Sequence, residues 1–318
     1  MLLPLLAIII GFIILVFSAD KFIDGSASIA KIMGIPSLII GMLIVGFGTS
    51  APEMMVSVMA ALNNSAGIAL GNAYGSNITN IALILGVTAI IYPIATAPKI
   101  IKRDLPILII SILLSAYMAY NGIISRLESW ILLALFVLVM LFIVIFDIKQ
   151  HKESNEFYQH EPPPKSLPLA IFWLITGLVL LVASAKLLVW GAVEIAHQLG
   201  VSDLIIGLTV VAVGTSLPEL AASIIAAKKG EDDIALGNVV GSNLFNIMCV
   251  VGLAGVVRPI AVLPEVLYRD IVVMLFLTVL LLVFCGGKKI NRIQGVILLT
   301  CFIAYTAFLA YGAFFQAA

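Results

Sequence analysis

Two glutamates, Glu53 and Glu219, lie deep inside long apolar stretches of this 318-residue chain, 166 positions apart. A carboxylate at bilayer depth costs about 3 kcal/mol or more and marks an ion pathway or a proton relay. No Lys or Arg within reach can neutralise either one, since the nearest, Lys228 and Lys229, stand at the end of the second stretch. A bound cation is the simplest source of the missing positive charge. The same run precedes both carboxylates: Gly48-Thr49-Ser50-Ala51-Pro52-Glu53 and Gly214-Thr215-Ser216-Leu217-Pro218-Glu219. Each proline lacks an N–H and so releases a carbonyl four residues back, on Gly48 or Gly214. The Gly-Thr-Ser before it tolerates an unwound backbone. Such a break is admitted at membrane depth only where it is buried or lines a cavity. The expectation is a broken helix in each half, offering carbonyl oxygens and the hydroxyls of Thr49, Ser50, Thr215 and Ser216.

A second pair of runs adds neutral oxygens. Ser76 and Asn80 are four apart and share one helix face, as do Ser242 and Asn246, with Asn77 and Asn243 beside them. Every candidate ligand is oxygen; no His, Cys or Met joins the set. Hard oxygen donors favour calcium, sodium or magnesium over zinc, copper or iron. Calcium suits so many donors better than magnesium, because it accepts about 6–8 oxygens in flexible geometry.

The elements that must hold these groups follow from composition. The chain is 62% hydrophobic and 11% charged, with a mean hydropathy of +1.20. That much apolar surface requires lipid as solvent, so the fold class is an all-α, polytopic membrane protein. Lys plus Arg equals Asp plus Glu at 17 each, which argues against a nucleic-acid partner. Cys249, Cys285 and Cys301 fit neither a disulfide framework nor a zinc site. Apolar stretches of about 20 residues predict ten transmembrane helices at 2–19, 35–62, 66–91, 105–120, 129–147, 168–185, 201–227, 234–257, 270–286 and 293–314. The polar, Pro-rich segment 148–167 reads as a cytoplasmic linker between two five-helix units, 1–147 and 168–318. With both termini outside, Arg126, Lys186, Arg258 and Arg269 fall in the outer loops and every other Lys and Arg inside, as the positive-inside rule requires.

The second unit repeats the first. Over 46–87 against 212–253, 19 of 42 positions are identical without a gap. The offset of 166 also maps Gly71-Asn72 onto Gly237-Asn238, Pro93 onto Pro259 and Arg103-Asp104 onto Arg269-Asp270. An odd number of spans per unit makes the repeats cross the membrane in opposite directions. That is the inverted-repeat plan of secondary transporters, with substrate held at the midplane.

These runs resemble those of the cation/calcium exchanger superfamily, whose repeats carry G-[TS]-S-x-P-E on one helix and G-N-x-x-G-S-N-x-x-[ND] on the next. Here they are Gly48 to Glu53 with Gly71 to Asn80, and Gly214 to Glu219 with Gly237 to Asn246. In length and layout the chain is similar to the prokaryotic sodium/calcium antiporters, especially the bacterial inner-membrane branch. The resemblance implies that Glu53 and Glu219 are the central calcium carboxylates. It also implies that Asn80, Asn246, the Thr and Ser oxygens and the carbonyls of Gly46 and Ala212 complete calcium and sodium sites arranged as a diamond. It further implies a multi-pass protein of the cytoplasmic membrane, working as a monomer, with transported Ca2+ and Na+ as ligands and no cofactor. In several members the position of Asn246 is an aspartate; here the cavity holds two fixed carboxylates, which one calcium or two monovalent ions neutralise. That departure leaves calcium/proton and potassium-dependent exchange open beside sodium/calcium exchange.

Other features read as structure. Asp20 ends the first span and its repeat partner is Lys186, which suits interfacial charges. Arg103-Asp104 and Arg269-Asp270 read as first-turn charges that suit the helix dipole. His151 and His160 lie in the linker and His197 in an outer loop, all read as solvated. Gly11 and Gly177 match by the offset, making the first and sixth spans candidate sliding elements. A channel would use rings of equivalent groups from several subunits. An intramembrane acid–base enzyme would have no use for duplicated hydroxyls and amides, so no enzyme is expected.

Overall fold

The computed structural model describes residues 2–63, 66–153, 165–199 and 212–316. The first half runs α1 (Leu2–Met33), α2 (Ser37–Thr49), α3 (Ala51–Leu62) and α4, which begins as Ala66–Thr79, widens to a π-helical turn at Asn80–Leu85 and ends as Gly86–Ile91. Strand β1 (Ile94–Ala95) leads to α5, a π turn at Ile100–Asp104 continuing as Leu105–Ala119; β2 (Ile123–Ile124) leads to α6 (Arg126–Glu153). The second half runs α7 (Leu167–Gln198), α8 (Ala212–Thr215), α9 (Leu217–Lys228) and α10, which is Asp232–Leu244, a π turn at Phe245–Val250 and Val251–Val257. Then come β3 (Ile260–Ala261), α11 (a π turn at Val266–Asp270, then Ile271–Cys285), β4 (Lys289–Ile290) and α12 (Arg292–Gln316).

Among the described residues, seven helices are long and apolar enough to cross a membrane, or eight if the bent pair α2–α3 is one span. Burial follows the logic of a lipid solvent. The two central helices, α4 and α10, have 72% and 83% of their apolar windows buried, against 11–33% for the others. The outer helices instead present large apolar side chains such as Phe12, Leu138, Phe142, Ile145 and Phe308 to the surroundings. The chain is a multi-pass integral membrane protein.

Three expectations about boundaries need correcting. The first span was placed at 2–19, but α1 continues to Met33; its 32 residues span about 48 Å at 1.5 Å each, well beyond a hydrocarbon core of about 30 Å. Lys21 and Lys31, expected in a loop, are therefore helical. Likewise α7 runs past the expected limit of 185 to Gln198, so Lys186 and His197 are helical. The charges in the extra turns of α1 fit because Asp20, Lys21 and Asp24 are paired, as described below. His151 is also helical, in the last turn of α6. Linker residues 154–164, with His160, and the first part of the expected span 201–227 lie outside the described residues.

The halves interlock closely. A Cβ on Gly241 would meet Met42 Cα and O at 2.6 Å, and one on Gly237 would meet the Leu38 carbonyl at 2.7 Å. The backbones of α10 and α2 thus touch directly, which is how membrane helices gain packing without a hydrophobic drive between them. α1 and α7 form another close pair, where a Cβ on Gly11 would meet the Leu188 backbone at 3.1 Å and one on Gly177 the Phe22 backbone at 2.8 Å. Two short antiparallel ribbons also tie half to half: β1 with β4, pairing Ile94 with Ile290, and β2 with β3, pairing Ile124 with Ile260.

Candidate functional site

The first motif is a sharp bend rather than an unwound stretch. Gly46–Thr49 stays helical, Ser50 alone leaves helical geometry (φ −82°, ψ 3°), and Ala51 restarts the helix with Pro52 in its first turn. The axis turns by 45° there. The Ser50 N–H closes on the Gly46 carbonyl at 3.0 Å, so one residue suffices to seat the proline. In the second half Ser216 does the same, at φ −93° and ψ 7°, between α8 and α9. Glu53 and Glu219 each fall in the first turn after the bend, where free N–H groups and the helix dipole favour an anion.

Both glutamates are 1% exposed. The Ser50 hydroxyl donates to Glu219 Oε1 at 3.4 Å, carrying the bend of one half to the carboxylate of the other. The Thr49 hydroxyl lies within donating reach of the Val45 carbonyl (2.9 Å) and of Asn238 Oδ1 across the halves (3.1 Å). The Ser242 hydroxyl lies 3.4 Å from the Gly46 carbonyl, again across the halves. Asn80 donates to Asn243 Oδ1 at 3.0 Å, and Asn77 to the Asn243 carbonyl at 3.3 Å. Asn80 and Asn246 both sit in the π turns of α4 and α10; such widened turns recur at functional sites.

What remains unsatisfied is informative. Among the described residues, Glu53 Oε2, Glu219 Oε2, Asn77 Oδ1, Asn80 Oδ1, Asn246 Oδ1 and Ser216 Oγ are fully buried with no hydrogen-bond partner. Buried polar atoms are nearly always paired; apart from Thr88 Oγ1 and Asp104 Oδ2, the orphans among the described residues fall in the two motifs, which marks them as atoms kept for something else. Asn243 differs, because its oxygen is engaged by Asn80 and its amide nitrogen is the orphan. Ser76 is buried, Thr215 is half-buried at the end of α8, and Ala212 opens that helix. No group of three His, Cys, Asp or Glu side chains able to hold a metal occurs among the described residues; two carboxylates and neutral oxygens make up the site.

The sequence reading missed the residues that hold the glutamates in place. The Asn72 amide donates to the Glu53 carbonyl at 3.0 Å and to Ser57 Oγ at 2.9 Å. The Asn238 amide donates to the Glu219 carbonyl at 3.2 Å and to Ser223 Oγ at 2.9 Å. Each asparagine clamps the first turn of the carboxylate-bearing helix from the neighbouring helix of its own half. The signal was present, since Asn72 and Ser57 recur at the offset of 166, but their acceptor is backbone and side-chain types do not announce it.

Comparison with known proteins agrees with this geometry. The family model described as sodium/calcium exchanger protein matches residues 3–145 and again 169–311. The chain belongs to the sodium/calcium exchanger family. It is 45% identical over 312 residues to CaxA of Alkalimonas amylolytica, covering 96% of this chain and 98% of that protein. It is 37% identical over 316 residues to the inner membrane protein YrbG of Escherichia coli, covering 97% of each. It is 32% identical over 343 residues to the sodium/calcium exchanger MaX1 of Methanosarcina acetivorans, covering 96% of this chain and 98% of MaX1. A solved structure of the sodium-calcium exchanger NCX_Mj, soaked without Na+ and Ca2+, superposes with a TM-score of 0.85 at 32% identity over 97% of this chain and 99% of that one. The family is one of transporters, so the intramembrane-enzyme reading is set aside.

Proposed function

We propose that this protein is a secondary antiporter that exchanges calcium for sodium across the cytoplasmic membrane, by alternating access to one oxygen-lined site near the bilayer midplane. The observation that carries this reading is the set of buried, unpartnered oxygens on Glu53, Glu219, Asn77, Asn80, Asn246 and Ser216. A cation supplies what each of them lacks. The names of the family and of MaX1 support sodium and calcium as the ions.

In this reading Glu53 and Glu219 are shared by both ions. The oxygens of Asn80, Asn246, Thr49, Ser50, Thr215, Ser216, Ser76, Ser242 and Asn77 and the carbonyls of Gly46 and Ala212 complete the shell, and Asn243 orients Asn80. The architecture is ten helices in two inverted five-helix repeats, 1–147 and 168–318, joined by a cytoplasmic linker at 148–167. Both termini lie outside, the two motifs are helix breaks, and one chain is the working unit. An empty site with two carboxylates resists closing away from water, whereas one calcium or two sodium ions neutralise it. Only loaded forms therefore switch sides, and exchange is obligatory.

The test is radioactive calcium uptake into proteoliposomes loaded with sodium, potassium, choline or acidic buffer. Uptake with internal sodium alone is expected. Uptake driven only by acid, or only with potassium present, moves the protein to a different coupling ion on the same site. Glu53→Gln and Glu219→Gln vesicles are expected to lose calcium uptake by about a hundredfold or more, since each variant removes a charge that the cation requires. Uptake at the parent rate would sink the assignment.

A further inference from the structure

Inverted repeats make the two sides of a transporter alike, so the places where the two halves differ reveal which side is closed. One end of α1 carries Asp20 and Asp24, and both reach across to the second half. Lys229 Nζ lies 2.7 Å from Asp20 Oδ1 and 2.5 Å from Asp24 Oδ1, and donates to the Asp20 carbonyl at 2.9 Å. Lys165, at the end of the linker, holds Asp24 Oδ2 at 2.7 Å, and Lys21 holds Asp20 at 3.2 Å. Lys229 caps α9, the helix that begins with Pro218 and Glu219, and α1 packs along α9. The cluster thus pins α1 to the carboxylate-bearing helix of the other half.

The repeat-related place is built differently. Positions matching Asp20, Asp24 and Lys229 are Lys186, Trp190 and Asn63. None of these three is acidic, so the same ion pairs cannot form among them. Instead a cavity of about 800 Å³ opens between α3 and α7, lined by Ala51, Pro52, Met55, Met59, Lys186, Trp190 and Pro218 among others. Where α1 is fastened to α9, α7 stands apart from α3.

We propose that Asp20, Asp24, Lys165 and Lys229 form a one-sided ion-pair clasp that keeps the ion site shut toward the linker side and must open before the site can face that side. This rests on the alternating-access reading above. The clasp is partly solvated, with side-chain exposures of 16% to 38%, so each pair is weak and separable, as a gate requires. Four groups acting together still bias the equilibrium between the two facings, because weak pairs present in one facing and broken in the other add up to a severalfold shift in population. The duplicated machinery is thereby given a resting direction that the repeat alone would not have.

The test uses the full-length protein in proteoliposomes with Cys249, Cys285 and Cys301 replaced by serine. A reporter cysteine is placed at Met55, in the cavity, or at Ala221, its repeat partner, which is buried on α9. Labelling by a membrane-impermeant maleimide is measured from the matching side. In the parent, exchanging sodium for calcium should move the two labelling rates in opposite senses; if they do not, the alternating-access reading fails, and the clasp with it. Given that reciprocity, Lys229→Gln should raise labelling at position 221 and lower it at 55, each by about threefold or more. Lys229→Arg, which keeps the charge facing Asp20 and Asp24, should leave both near the parent. Unchanged labelling of both reporters in Lys229→Gln, with calcium exchange retained, would overturn the clasp while leaving alternating access standing.

Discussion

The Ser50 hydroxyl lies 3.4 Å from Glu219 Oε1, so the bend in one repeat grips the carboxylate of the other. Removing that hydroxyl leaves a buried carboxylate oxygen with one partner fewer, a loss of about 1–3 kcal/mol for a bond to a charged group. Ser50→Ala should therefore raise the half-saturating concentration for both calcium and sodium by about tenfold. Ion titrations of uptake check this. An unchanged affinity for both ions would mean that the contact does not survive loading.

Asn238 joins three partners: the Glu219 carbonyl, Ser223 and the Thr49 hydroxyl. Asn72 makes the matching contacts to the Glu53 carbonyl and to Ser57. Asn238→Ala should cut the calcium uptake rate by roughly a hundredfold if each lost buried bond costs about 1 kcal/mol. Asn238→Asp keeps the acceptor for Thr49 but loses the donors, and should fall in between. Uptake at the parent rate in Asn238→Ala would contradict the clamp.

Asn246 is a neutral residue with both side-chain ends unpartnered. Asn246→Asp adds a third buried carboxylate, which an extra positive charge would neutralise. The variant should show steeper sodium dependence and an uptake rate that responds more strongly to an imposed membrane potential than the parent. Uptake measured with the potential clamped by valinomycin and potassium tests this; identical voltage responses would argue against charge balance in the site.

Gly122 and Lys288 occupy the same turn in the two repeats, with φ of +84° and +65°. Lysine is strained in this left-handed region by about 1 kcal/mol, and glycine is not. Lys288→Gly should leave transport unchanged and raise the thermal midpoint of the detergent-solubilised protein by a few degrees. A lowered midpoint would mean that the lysine side chain has a compensating contact.

Much of the site was legible because its chemistry is written twice. Carboxylates without counter-charges at Glu53 and Glu219, and hydroxyls and amides at one fixed offset, point to a candidate oxygen site from sequence alone. The positioning role of Asn72 and Asn238 was hidden, because they act on carbonyls, which every residue carries. The true length of α1 was hidden for a related reason. Asp20, Lys21 and Asp24 look like the end of a span until Lys229 and Lys165, distant in sequence, are seen to pair with them. The π turns beginning at Asn80 and Phe245 have no compositional mark. Two-residue strands such as Ile94–Ala95 are too short for any periodicity to declare them.

Those strands carry one more implication. Shifting the β1–β4 pairing of Ile94 with Ile290 and Ala95 with Lys289 by 166 positions reproduces the β2–β3 pairing of Ile260 with Ile124 and Ala261 with Ile123. The two ribbons are thus one self-complementary contact used twice, the geometry by which two identical chains join about a two-fold axis. A single repeat, made as a separate polypeptide, already carries both edges of that contact.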